Sequence, residues 1–126
     1  TVGSAGYDFF APEAFSLVPH ETIKIPTGIR AEIAEGWVLQ IYPRSGLGFK
    51  YRLQMDNTVG IIDSDYFTAK NEGHIFIKMT NSNRQGKTLS IVGGEGFAQG
   101  IFLPFGITED DDADGERTGG FGSTTK

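Results

Sequence analysis

Between Ile23 and Ile33 the apolar side chains keep to one parity: Ile23, Ile25, Ile29, Ala31 and Ile33. A period of two is the mark of strands with one buried face. Pro26 and Gly28 interrupt it. No window holds a 3.6-residue period over three turns, and only residues 49–55 leave room for one or two helical turns. Further strand-like runs stand at 37–42 (WVLQIY), 75–80 (IFIKMT), 89–92 and 97–103. Turn residues separate them: Glu35-Gly36, Asn81-Ser82-Asn83 and Gly93-Gly94. Short, regularly spaced strands with 18 glycines predict an all-β chain, a sandwich, barrel or jelly roll. Trp37 and most of the phenylalanines alternate with polar neighbours and read as core.

A chain of 126 residues suits one domain with one core. It has no cysteine, so it has neither a disulfide framework nor a thiolate metal site, which fits a cytoplasmic protein. No apolar run approaches the ~20 residues of a membrane span. The net charge of −5 argues against broad nucleic-acid binding. An anionic ligand would have to be held by a few local cations, a helix end or a metal ion.

Chemistry concentrates at residues 57–66, NTVGIIDSDY. An Asn amide, two carboxylates and a tyrosine crowd around Ile61 and Ile62, more than a core strand needs. Gly60 suggests a bend or a close backbone approach. The stretch reads as a hairpin whose mouth presents an amide, a carboxylate and a ring to one small ligand. Taken alone it would equally be a loop with solvated aspartates.

Other features are weaker singly. Pro43-Arg44-Ser45-Gly46 offers a guanidinium fork, a hydroxyl and a bare N–H to phosphate oxygens, yet alone it reads as an ordinary turn. Gly86-Lys87-Thr88 is not a P-loop, because Asn81 stands where the first glycine belongs. Asp110, Asp112 and Asp114 are not an EF-hand, because Phe121 takes the twelfth position. His20 and His74 support neither a triad nor a zinc site. Residues 67–73 read as a polar loop. Residues 108–116 carry six carboxylates in nine positions and read as a solvated linker. The Gly-rich tail 117–126 is expected to order only on a ligand or partner.

Taken together and in order, these stretches resemble the trimeric dUTPase family, in a phage or bacterial form. The resemblance rests on Ala5-Gly6-Tyr7-Asp8, Pro43-Arg44-Ser45-Gly46-Leu47, residues 57–66, Gly96-Phe97-Ala98-Gln99-Gly100 and residues 117–124. Five motifs at family-like spacing cover nearly the whole chain. The resemblance implies a distorted jelly-roll-like β-barrel over residues 1–107, an acidic linker over 108–116 and a closing arm over 117–126. It implies a homotrimer with shared active sites and Mg²⁺-dependent hydrolysis of dUTP to dUMP and pyrophosphate. By motif, Asp63 activates the water. Asn57, with the backbone of Gly60, Ile61 and Ile62, reads uracil, and Tyr66 lies under the deoxyribose. Arg44, Ser45, Gly46 and Gln99 hold phosphates. Asp8 supports the metal through water, the triphosphate holding it otherwise. Arg117, Phe121, Gly122, Ser123 and Thr124 cover the uracil and terminal phosphate.

Three positions depart from the family pattern. Gly96 stands where many members carry Arg, which touches one structural ion pair. Residues 67–73 replace a shorter turn. The chain opens four residues before the first motif, without the family's usual N-terminal strand. Two rival readings stand beside the main one: a dCTP deaminase on the same barrel, and a dUTPase-like module that also docks on a regulatory protein through residues 67–73.

Overall fold

The computed structural model describes residues 2–110; the linker from Asp111 onward and the arm lie outside them. The order is β1 (Tyr7–Phe10), β2 (Phe15–Leu17), β3 (Thr22–Pro26), β4 (Trp37–Pro43), α1 (Ser45–Tyr51), β5 (Leu53–Met55), β6 (Gly60–Ile62), a 3-10 turn (Ser64–Thr68), β7 (Phe76–Asn81), β8 (Leu89–Ile91) and β9 (Gly96–Pro104). Three antiparallel groups form: β1-β9-β4-β6, β2-β8 and β3-β7-β5. This is the all-β architecture expected. Among the described residues no helix is long and apolar enough to cross a membrane.

Alternation builds the core. Ile77 and Met79 point inward from β7 while Lys78 faces out. Opposite them, Ile25 of β3 is buried and Lys24 is exposed. Leu39, Ile41, Leu53, Leu89 and Phe97 complete the packed interior. β9 runs between β1 and β4, so both its edges are hydrogen-bonded, and its first residues, Gly96, Phe97 and Ala98, are all buried. The buried Asn81 amide bonds the carbonyls of Leu17 and Lys87 at 2.9 and 3.0 Å, which joins the end of β7 to its neighbours.

Several expectations need correction. The parity from Ile23 to Ile33 is one strand only as far as Pro26. Beyond it the Thr27 hydroxyl donates to the Ile75 carbonyl and accepts from the Ile29 N–H, and Ile29 is exposed. The helix begins at Ser45, four residues before the expected window, and Leu53–Met55 is strand. Trp37 is 43% exposed, and Phe10, Phe49, Phe102 and Phe105 are also exposed. They sit at sheet margins and on the helix, where alternation tells which face a side chain takes but not whether anything covers it. Residues 67–73 are not simply a polar loop. The 3-10 turn runs into them, Ala69 and Gly73 are buried, and Arg30 stacks 3.8 Å from the Phe67 ring centroid.

Candidate functional site

Residues 57–66 are not a hairpin. β5 pairs with β7, β6 pairs with β4, and the chain changes sheets between them. The turn is made by Thr58 in the left-handed region (φ 69°), with its N–H on the Met55 carbonyl at 3.0 Å. Each strand is therefore the edge of a different sheet. Edge strands turn one row of N–H and C=O groups outward. Where two such edges diverge from one turn, they leave a cleft lined with backbone donors and acceptors.

That cleft is a cavity of about 470 Å³. Asn57, Gly60, Ile61, Ile62, Asp63 and Tyr66 all line it, so six of the expected site residues meet around one space. Gly60 makes the close backbone approach its identity suggested. A Cβ there would stand 3.1 Å from Ile41 Cβ and 3.4 Å from Met55 Cε. Asp63 is exposed and caps the 3-10 turn, its carbonyl accepting the Tyr66 N–H at 3.1 Å. Tyr66 is 2% exposed, with its hydroxyl donating to the His74 carbonyl and accepting from Asn71 Nδ2 at 2.7 Å.

Sequence reasoning missed the opposite wall. Lys24, Phe76 and Lys78 also line the cavity, with Asp56 on the near side. Lys24 and Lys78 are cross-strand partners, an arrangement of like charges that costs stability unless offset. Asp56 offsets one, lying 3.7 Å from Lys78 Nζ and accepting from Thr80 Oγ1 at 2.6 Å. Lys24 Nζ lies 4.9 Å from the Phe76 ring centroid. The readable signal was Phe76, an aromatic on the outward parity between Ile75 and Ile77. His74 stays outside this chemistry: its Nε2 accepts the Gly28 N–H at 3.0 Å.

A second group lies on the β1-β9-β4 sheet and does not line the cavity. Arg44 Nε is 3.5 Å from Asp8 Oδ1, both side chains about half exposed. Arg44 Nη1 reaches the Gly96 carbonyl at 3.5 Å. A Cβ on Gly96 would stand 2.7 Å from that same nitrogen, so the bare glycine makes room for the guanidinium. Gln99 donates to the Pro43 carbonyl at 3.3 Å and is the cross-strand partner of Asp8. Ser45 and Gly46 open α1 beside Arg44. The arrangement offers a fork of donors to an anion with a carboxylate alongside. Arg117, Phe121, Gly122, Ser123 and Thr124 lie outside the described residues.

Comparison with known proteins bears on the whole chain. The family profile described as dUTPase matches residues 1–125. The deoxyuridine 5'-triphosphate nucleotidohydrolase of Lactococcus lactis subsp. lactis is 44% identical over 127 residues, covering 98% of this chain and 83% of that one. The enzyme of the same name from Tolumonas auensis is 42% identical over 132 residues, with the same coverage. Among solved structures, dUTPase from Streptococcus mutans superposes with a TM-score of 0.73 at 36% identity, covering 86% of this chain and 84% of its own. A mutant dUTPase from phage phi11 of S. aureus, described for its coordination of a structural Mg(II) ion, has a TM-score of 0.69 at 26% identity, covering 89% and 84%.

Proposed function

Because the chain belongs to the dUTPase family and is a dUTP diphosphatase, we propose that its β5/β6 cleft holds the deoxyuridine of dUTP while Asp63 activates the water that splits off pyrophosphate. The observation that carries this reading is the meeting of Asn57, the β6 edge, Asp63 and Tyr66 around one cavity.

Each role follows from chemistry. The Asn57 amide has a donor and an acceptor, matching uracil O4 and N3–H. The outward edge of β6, through Gly60, Ile61 and Ile62, supplies further backbone partners. A cleft closing on the C5 edge of the base would exclude the thymine methyl. The Tyr66 ring forms a floor under the deoxyribose, where a 2′-hydroxyl would collide. Asp63 takes a proton from water as the water oxygen bonds to the α-phosphorus in line with the leaving group. The bond from that phosphorus to the α–β bridging oxygen breaks, and the oxygen leaves with pyrophosphate.

Among the described residues no group of three or more His, Cys, Asp or Glu could cage a metal ion. Asp8 is a single half-exposed carboxylate already beside Arg44. One carboxylate suits Mg²⁺ that keeps its water shell and rides on substrate phosphates. Asp8 would then hold it through water. When bound, Mg²⁺ neutralises triphosphate charge and orients the leaving group.

Arg44, Ser45, Gly46 and Gln99 are the phosphate-holding set. They do not line the cleft of their own chain, which suits a homotrimer with shared sites in which they would face a neighbour's cleft. Exposed Trp37, Leu103, Phe105 and Ile107, with Tyr7 edge-on to Phe102, form an apolar margin that such a neighbour would cover. Arg117, Phe121, Gly122, Ser123 and Thr124 bring a cation, a ring, a bare N–H and two hydroxyls, complements to phosphate and uracil, and would close the site. The setting is the cytoplasm.

The sugar assignment has a direct test. Tyr66→Ala should weaken dUTP binding and narrow the ratio of kcat/KM for dUTP over UTP by about tenfold or more. An unchanged ratio would refute the floor.

A further inference from the structure

We propose that Asn71, in the turn that follows the 3-10 segment, is a positioning residue for sugar discrimination: its amide fixes the Tyr66 hydroxyl, and through it the plane of the ring on which the deoxyribose rests. The inference builds on the sugar assignment above.

The hydroxyl is held from two directions. Its proton goes to the His74 carbonyl, and its oxygen accepts from Asn71 Nδ2 at 2.7 Å. Both partners come from the segment just beyond the 3-10 turn. The ring packs in the core, and Tyr66 is one of the residues lining the cleft. Anchoring the far end of the ring therefore sets how high the ring stands under a ligand. A difference of a few tenths of an ångström there decides whether a 2′-hydroxyl meets a hard contact.

The loop does not need Asn71 Nδ2 for its own shape. Arg30 holds it from outside, donating from Nε to the Glu72 carbonyl at 2.6 Å and from Nη2 to the Phe67 carbonyl at 2.8 Å. The Arg30 guanidinium also lies 3.8 Å from the Phe67 ring centroid. Gly73, at φ 73°, brings the chain back against Tyr66. A Cβ there would stand 2.8 Å from both Phe67 Cα and the Tyr66 carbonyl oxygen. Asn71 Oδ1 accepts the Gly73 N–H at 3.2 Å, which closes the turn. The two ends of one amide thus have separate work: Oδ1 shapes the loop and Nδ2 reaches the tyrosine.

That division allows a clean test in the full-length protein. Asn71→Asp keeps the acceptor for Gly73 but replaces the donor to Tyr66 with an acceptor, so the single hydroxyl proton can serve the carboxylate or the His74 carbonyl but not both; Asn71→Ala removes both ends of the amide. Each should lower the kcat/KM ratio of dUTP over UTP by about three- to tenfold, the scale of one hydrogen bond. Melting should stay near wild type in the Asp variant. In a Tyr66→Phe background, which has no hydroxyl to hold, either change should alter the ratio by less than about twofold. The proposal is overturned if the Asn71 variants leave the ratio unchanged while Tyr66→Ala moves it. It is equally overturned if they shift the ratio as much in the Tyr66→Phe background. If Tyr66→Ala also leaves the ratio unchanged, the sugar floor itself is wrong and Asn71 has nothing to position.

Discussion

Asp63→Asn should lower dUTP turnover by about 10²-fold or more while leaving nucleotide binding and melting nearly unchanged. Asp63 is exposed, follows the last residue of β6 and begins the 3-10 turn. The turn is closed by the Asp63 backbone carbonyl, not by its carboxylate, and no side-chain cap bond is made there. The amide is isosteric, so the local fold and the lining of the cleft survive. What is lost is the capacity to accept a proton from water as the new P–O bond forms. The expected signature is a fall in kcat with KM little changed, measured by pyrophosphate release. Near-normal turnover would remove Asp63 from the catalytic role.

Arg44→Ala should cost about 10²-fold in kcat/KM, the scale of losing one pre-placed donor to charge developing in a transition state. Stability should barely respond, since its ion pair with Asp8 is half exposed and such pairs contribute little. The informative experiment joins this variant to the first. In shared sites, a cleft with intact Asp63 can meet intact Arg44 on a neighbouring chain. Co-expressed Arg44→Ala and Asp63→Asn chains should therefore regain activity that neither has alone. A mixture as inactive as its parts would mean that each chain carries its own complete site.

Much of the fold was legible because alternation is local. β4, β7, β8 and β9 lie within a residue or two of the expected runs. What was not legible depended on partners. β1, β2, β5 and β6 have three or four residues each, too few for a period to declare itself; β8 is as short, but the Gly93-Gly94 turn signal closes it. α1 contains Gly46 and Gly48, poor helix formers, and buries no residue, so neither propensity nor pattern announced its start, and only its last residues fell within the expected window. The misread hairpin at residues 57–66 has the same origin. Its residues were the right ones, but strand pairing is a tertiary choice, and β5 and β6 choose different sheets.

The site shows the same division. Residues that carry chemistry by type, such as Asn57, Asp63 and Tyr66, were visible as a cluster. Lys24 and Lys78 were hidden because outward-facing lysines on a strand look like an ordinary solvated surface; Phe76 beside them was the one readable sign of that wall. Gly96 read as a departure from the family pattern; the structure gives its consequence, space for the Arg44 guanidinium. The role of Asn71 could not be seen in the string, because it rests on a loop folding back onto a tyrosine five positions earlier.

The most direct measurement supplies dUTP, dCTP, dTTP and UTP in turn with Mg²⁺ and follows both pyrophosphate and ammonia. We predict pyrophosphate from dUTP with a kcat/KM about 10²-fold or more above the other three, and ammonia from none. Ammonia from dCTP, or pyrophosphate released equally from dUTP and dTTP, would contradict the account of the cleft as a uracil and deoxyribose site.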